Sequence, residues 1–249
     1  MSKKSEPIAD YTKYDYKKIF WDETDRKYED LADRLAIRRL LPKRAKKFAD
    51  IAGGYGRLAD EYLPKKYGES IVFDYSPMLL RQAKKIHGKK INTKQGDIYK
   101  LPFRDGELDA LLMVRATHHF KDIDKVIAEL YRVLSPGGTA VIEVANKKTV
   151  VKMARYVLGK RDVNPFSLDT VTLKDVSKHG FYNYHPKFIE KLFREAGFKI
   201  EKVLSVSNFR SPGLKRVFKP KFLLALEKPT QYTMSPFRFG PSIYYKLTK

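Results

Sequence analysis

Three carboxylates and a cluster of glycines, all between Asp50 and Asp97, are the groups in this chain best placed to hold a ligand. Asp50 stands four residues before Gly54 in DIAGGYG, Asp74 closes the apolar run IVFD, and Asp97 follows Gly96 in QGDIYKLPF. Gly53, Gly54 and Gly56 let the chain reverse tightly and let a ligand approach closer than a Cβ would permit, while a helix starting there presents free N–H groups. A carboxylate at the end of the next strand can accept both hydroxyl protons of a ribose, so the pair of features points to an adenosine. The dinucleotide fingerprint G-x-G-x-x-G tolerates Ala59 at its third glycine and so does not discriminate, whereas a G-x-x-x-x-G-K-[ST] phosphate loop is absent. Asp50 does discriminate. At the end of the first strand it would repel a pyrophosphate, and it suits a cofactor carrying an ammonium and a sulfonium.

The elements that must position these groups follow from periodicity. Strands are expected near Phe48–Ala52, Ser70–Asp74, Ile91–Thr93, Ala110–Val114, Thr139–Val144, Phe198–Asn208 and Ser242–Leu247, with helices over Asp25–Leu41, after Gly56, over Lys147–Leu158 and over Pro186–Gly197. Alternating strands and helices predict an α/β fold, a doubly wound and mostly parallel sheet with helices on both faces. The stretches 159–186 and 209–241 read as a segment with few elements and an insertion rich in Pro, Phe and Lys.

His118 and His119 fall after the fourth strand, at the carboxyl edge where open parallel sheets bind ligands. A histidine there is a candidate general base, with packing or loop geometry as the alternative. Adjacent side chains on an extended segment point in opposite directions, so the two are not expected to share one substrate atom. Arg115, beside them, could meet a cofactor carboxylate or a substrate anion. Tyr55 and Tyr75 either flank the ligand or are plain exposed aromatics, and Ser76 before Pro77 is a helix cap.

The runs quoted above, with FDYSPMLL at Phe73–Leu80, LDALLMVRATHHF at Leu108–Phe120 and ELYRVLSPGGTAVIEV at Glu129–Val144, resemble in order and spacing the motifs of the class I S-adenosylmethionine-dependent methyltransferases. The likeness covers roughly residues 46–146, and its nearest general form is the small-molecule "type 11" branch that includes the quinone C-methyltransferases. It implies a Rossmann-like sheet of about seven strands with an antiparallel last strand and a helical lid. It implies S-adenosyl-L-methionine as cofactor, held by Asp50, Ala52 (where many members have glycine), Gly53, Gly54, Tyr55, Gly56, Asp74, Tyr75, Ser76, Met78, Gly96, Asp97, Ile98 and Arg115. In that likeness Asp97 accepts from the adenine amino group and Ile98 offers its N–H. An N-terminal arm with Tyr11, Tyr14, Tyr16, Phe20 and Trp21 would fold over the cofactor, and Tyr16, Tyr182, Tyr184 and His185 are the substrate-facing candidates, with ordinary packing as the other reading. One domain is expected over residues 1–249, with arm and first helix to 45, cofactor core over 46–146, and lid insertions and final strands over 147–249.

Composition narrows the classes. The chain has no cysteine, which excludes disulfides and thiolate metal sites, and its five histidines form no H-E-x-x-H, so no metal is expected. No apolar run approaches the ~20 residues of a membrane span and the N-terminus lacks a signal-like core, so a cytoplasmic location is expected. Of a net charge of +22, the stretch from Lys147 onward carries +15. That stretch could recruit an anionic substrate, an anionic lipid surface or RNA, or simply be solvated. The expected reaction is direct methyl transfer to a small-molecule, anionic or lipid-like acceptor, with no obligate protein partner. RNA or protein methylation, and a catalytically silent cofactor-binding partner, stay open as alternatives.

Overall fold

The computed structural model describes residues 17–160, 163–173 and 181–249. Tyr11, Tyr14 and Tyr16 lie outside the described residues. A short π-helical turn, Lys18–Asp22, precedes α1 (Lys27–Leu40). There follow β1 (Arg44–Ile51), α2 (Ala59–Tyr62), β2 (Lys66–Asp74), α3 (Pro77–His87), β3 (Asn92–Gln95), β4 (Leu108–Met113), α4 (Ile123–Val133) and β5 (Leu134–Ala145). Beyond these come α5 (Val150–Val157), the hairpin β6 (Val171–Leu173) and β7 (Phe181–Asn183), α6 (Pro186–Glu195), β8 (Lys199–Val206), α7 (Pro212–Val217), α8 (Pro220–Thr233) and β9 (Ser242–Thr248).

Seven strands form one sheet in the order β3-β2-β1-β4-β5-β9-β8, with β1 to β5 parallel and β9 antiparallel to both β5 and β8. This is the expected doubly wound arrangement, with the antiparallel strand set between two others rather than at an edge. The winding reverses between β1 and β4, which opens a crevice at their carboxyl ends.

β4, LDALLM, is apolar on both faces because each face is covered. Leu111 and Met113 join Ile51, Phe73 and Ile142 against α4 and α6, whereas Leu112 joins Phe48, Val141 and Tyr244 against α1. Helix α8 is fastened to the second face by buried Glu227, which accepts from Tyr28 Oη at 2.7 Å and Ser207 N at 2.8 Å. Gln231, one turn on, donates to Ala32 O at 3.0 Å.

The helix expected directly after Gly56 is a turn that delays α2 to four residues, and the stretch 209–241 is largely helical. Pro212 and Pro220 there sit in first helical turns, where a missing N–H costs nothing.

Candidate functional site

The glycine turn is built around two carboxylates. Ala52, Gly54 and Gly56 all adopt left-handed backbone, with φ of 54°, 57° and 73°. Gly53 packs on Asp50 so tightly that a Cβ would lie 2.7 Å from the Asp50 Cγ. Gly54 N donates to Asp74 Oδ2 and Ser76 N to Asp74 Oδ1, each at 2.9 Å, so the β1 turn and the start of α3 are tied through one carboxylate. Ser76 caps α3, accepting from Leu79 N.

Burial raises the pKa of both acids. For Asp74 the N–H groups of Ser76 and Gly54 oppose that rise. Asp50 is 2 % exposed, and burial pushes its pKa up to about 7, with Tyr62 and Arg57 opposing and Asp74 adding to the rise. A buried carboxylate bordering a cavity favours a cation beside it.

That cavity opens at the crevice between β1 and β4. Of the residues named from sequence it brings together Asp50, Ala52, Gly53, Gly54, Tyr55, Asp74, Tyr75, Gly96, Ile98, Arg115 and His119. Phe73, Leu79, Val114 and Phe120 supply apolar wall, and Trp21 of the N-terminal arm borders it as well. Such a donor set fits an adenosine with a cationic tail: carboxylates for ribose and ammonium, glycines where a Cβ would intrude, and apolar side chains for a flat base.

Five other candidates stand behind this surface. Gly56 O lies 3.0 Å from His87 Nε2, Asp97 Oδ1 accepts from Tyr99 N in its own turn, Met78 is half-buried in the first turn of α3, Ser76 serves as cap, and His118 flanks His119.

Arg115 corrects an expectation. Its guanidinium faces the cavity but is already paired, donating to Asp33 from Nε at 2.7 Å and Nη2 at 3.1 Å, while its backbone N, at φ 55°, donates to Glu143. Arg57 Nη2 donates to the same Asp33 at 3.0 Å, and Tyr244 Oη adds a bond of 2.8 Å. Burial pushes Asp33 up, yet Arg115 and Arg57 outweigh it and hold the carboxyl below its ordinary range. The Trp21 ring lies against both guanidiniums, 3.8 Å from that of Arg57 and 5.5 Å from that of Arg115. Asp33, Arg57 and Glu143 were not singled out from sequence. The available signal was an acid inside the apolar stripe of α1, where Tyr28, Ala32, Ala36 and Leu40 are buried.

The histidine pair also departs from expectation. Thr117–His119 forms a 3₁₀ turn, not an extended segment, so the two rings lie side by side with centroids 4.1 Å apart, and Phe181 packs on both. Burial, then the charges of His119, Arg115, Arg210 and Arg26, hold the His118 pKa well below the usual imidazole value.

Two substrate candidates are structural. Tyr184 is buried and donates its hydroxyl to Phe120 O, fixing the loop after the histidines. His185 is buried and caps α6, its Nδ1 accepting from Lys187 N at 3.2 Å. Tyr182 is half-buried against the core, and Tyr16 lies outside the described residues.

Residues 49–142 match a family described as "Methyltransferase domain". A demethylmenaquinone methyltransferase of Thermus thermophilus is 34 % identical over 113 residues, 44 % of this chain and 51 % of that protein. One from Chlorobaculum tepidum is 27 % identical over 190 residues, 70 % of this chain and 74 % of that protein. The chain thus spans about half the length of the first of these relatives. The crystal structure of an S-adenosylmethionine-dependent methyltransferase from Mesorhizobium loti superposes with a TM-score of 0.66 at 16 % identity, covering 89 % of this chain and all of that one, which is a likeness of fold. The strand order, the glycine turn with its two carboxylates and these relatives agree in one likeness, to the class I S-adenosylmethionine-dependent methyltransferases, whose domain residues 49–142 match.

Proposed function

We propose that this protein transfers a methyl group from S-adenosylmethionine to a small, apolar acceptor of the quinol type. The observation that carries the reading is the buried Asp50 carboxylate beside the Gly54–Asp74 pair, both acids lining one cavity. Asp74, fixed by two backbone N–H groups, is positioned for the ribose, Asp50 for the ammonium, and Ile98 with Phe73 for the adenine. Bound there, the cofactor supplies an electrophilic methyl group on a positively charged sulfur. The chain's part is alignment: Gly53 and Gly54 admit the ligand close to the backbone, and Trp21 narrows the opening to water.

The acceptor's class is supported by the apolar side chains Val114 and Phe120 near His119, and by the names of the two relatives, each a demethylmenaquinone methyltransferase. His119, at the wall, is the residue positioned to take a proton from the acceptor; His118, with its depressed pKa, packs beside it.

The test has two parts. Calorimetric titration with S-adenosylmethionine and its demethylated product should show binding, and Asp74→Ala should weaken it by roughly 1.5–3 kcal/mol through lost charge-assisted hydrogen bonds. Mass spectrometry should then find one methyl group added to a reduced naphthoquinone. Preference for NAD, or cofactor binding with no methylation across quinol acceptors, would overturn the cofactor and acceptor readings respectively.

A further inference from the structure

Helix α5 is built inside out. Val150, Val151, Ala154, Val157 and the adjoining Leu158 lie on one arc of the helix, with Lys152 and Arg155 on the opposite arc. It is the apolar arc that meets solvent. Val151 is 65 %, Val157 76 % and Leu158 80 % exposed, and no residue of the helix is buried.

The insertion after β8 repeats the pattern. Helix α8 buries Leu223, Glu227 and Gln231 on one side, while Phe222 and Leu226, one turn apart, lie on another and remain exposed, as does Phe218 at the end of α7. The rings of Phe218 and Phe222 stack at 5.0 Å, and Val217 beside them is 74 % exposed. Isolated exposed apolar side chains are ordinary, but two helical elements presenting them as ordered rows mark an interaction surface.

The charge along both rows is mainly basic. Residues 147–160 include four basic side chains besides the buried Lys147 and no acidic ones, and residues 211–228 include five basic ones, of which Lys215 pairs with Asp25 and Glu29, with the buried Glu227 as the sole acid of that stretch. Strands β5 and β8 run in the same direction, each antiparallel to β9, so α5 and α7 both leave the sheet at its carboxyl edge, the edge on which the cavity opens.

We propose that α5 and the α7–α8 insertion seat this protein on the surface of an anionic lipid bilayer, with the Val, Leu and Phe side chains among the acyl boundary and the lysines at the headgroups. An amphipathic helix with a basic polar face binds such an interface through both terms at once. A second copy of the chain fits poorly, because it would bring two faces of like charge together. RNA would be met by the lysines and phenylalanines but offers nothing to solvent-facing Val151, Val157 and Leu158. The proposal rests on these helices and their charge, not on methyl transfer, so the two can fail separately.

Flotation of the purified full chain with vesicles, without cofactor, tests it. The protein should float with phosphatidylcholine–phosphatidylglycerol vesicles at low salt, weakly with phosphatidylcholine alone, and less as salt rises. Val157→Ser combined with Leu158→Ser should weaken partition by roughly tenfold while leaving the melting temperature unchanged, since both side chains are solvated. Phe222→Ser should do the same from the other insertion. Equal flotation of wild type and variants, or no flotation at low salt, would overturn the proposal. So would self-association without vesicle binding, or RNA binding in its place, that the serine variants abolish.

Discussion

The Asp33 carboxylate, wholly buried in α1, accepts both Nε and Nη2 of Arg115, a residue 82 positions further along the chain. The pair ties the first helix to the carboxyl end of β4, and through Arg57 and Trp21 it also fixes the arm that borders the cavity. Removing one partner of a buried pair leaves the other charge uncompensated.

Asp33→Asn should therefore destabilise the protein by about 3–5 kcal/mol in urea unfolding. Because the chain has a single tryptophan, Trp21, the same variant should shift the native fluorescence emission as the guanidiniums beside the indole rearrange. The native carboxyl titrates below its unfolded value, so this stabilisation is present above about pH 4 and fades as pH falls through the lower folded value. Acid unfolding curves of wild type and variant should converge there.

Asp50 behaves oppositely. With its folded pKa raised to about 7, the ligand-free protein should be most stable with this group protonated and lose that share as pH rises from about 4 to 7. Asp50→Asn should thus raise the melting temperature at pH 8 while weakening S-adenosylmethionine binding by at least about tenfold. Wild-type binding at pH 6.5 should release a proton, visible as a dependence of calorimetric enthalpy on buffer ionisation.

His118 should contribute no ionisation to a rate profile between pH 6 and 8, since its native pKa is well below the ordinary imidazole value. Its unfolded form takes up a proton near pH 6.5 that the native form refuses, so stability should decline as pH falls below about 6.5. Chemical denaturation of His118→Gln across that range should show a shallower decline. His119→Gln should instead lower turnover by roughly 10²–10⁴ with cofactor affinity nearly unchanged.

Ala52 holds φ 54°, a conformation that disfavours a Cβ. Ala52→Gly should fold with stability within about 1 kcal/mol of wild type, relief of strain offsetting added chain entropy, whereas Ala52→Val should lose roughly 1–3 kcal/mol. Thermal melts of the two variants compare these directly.

The parts legible in the sequence were those whose partners lie close along the chain or whose pattern is periodic. Asp50, Gly54 and Asp74 announce themselves because a strand end, a glycine turn and the next strand end are successive elements, and the strand alternation around them fixes the sheet. The Asp33–Arg115 pair was hidden because its partners meet only after the sheet is wound, although an acid within the α1 stripe hinted at it. The histidine turn was misread because Ala-Thr-His-His has no glycine or proline to announce a 3₁₀ bend. His185 looked chemical from its type, but its use as a cap depends on where α6 begins.

Strand β9 has a consequence for the order in which the molecule can be assembled. On the ribosome, β5 and β8 both emerge before Ser242–Thr248, yet among the described strands β8 pairs only with β9. Until that segment arrives, β8 has no neighbour in the sheet and Tyr244 has not reached Asp33. Closure of the sheet and completion of the charge network behind the cavity therefore wait together on this one segment. Chaperones would meet an intermediate with β5 exposed as an unpaired edge.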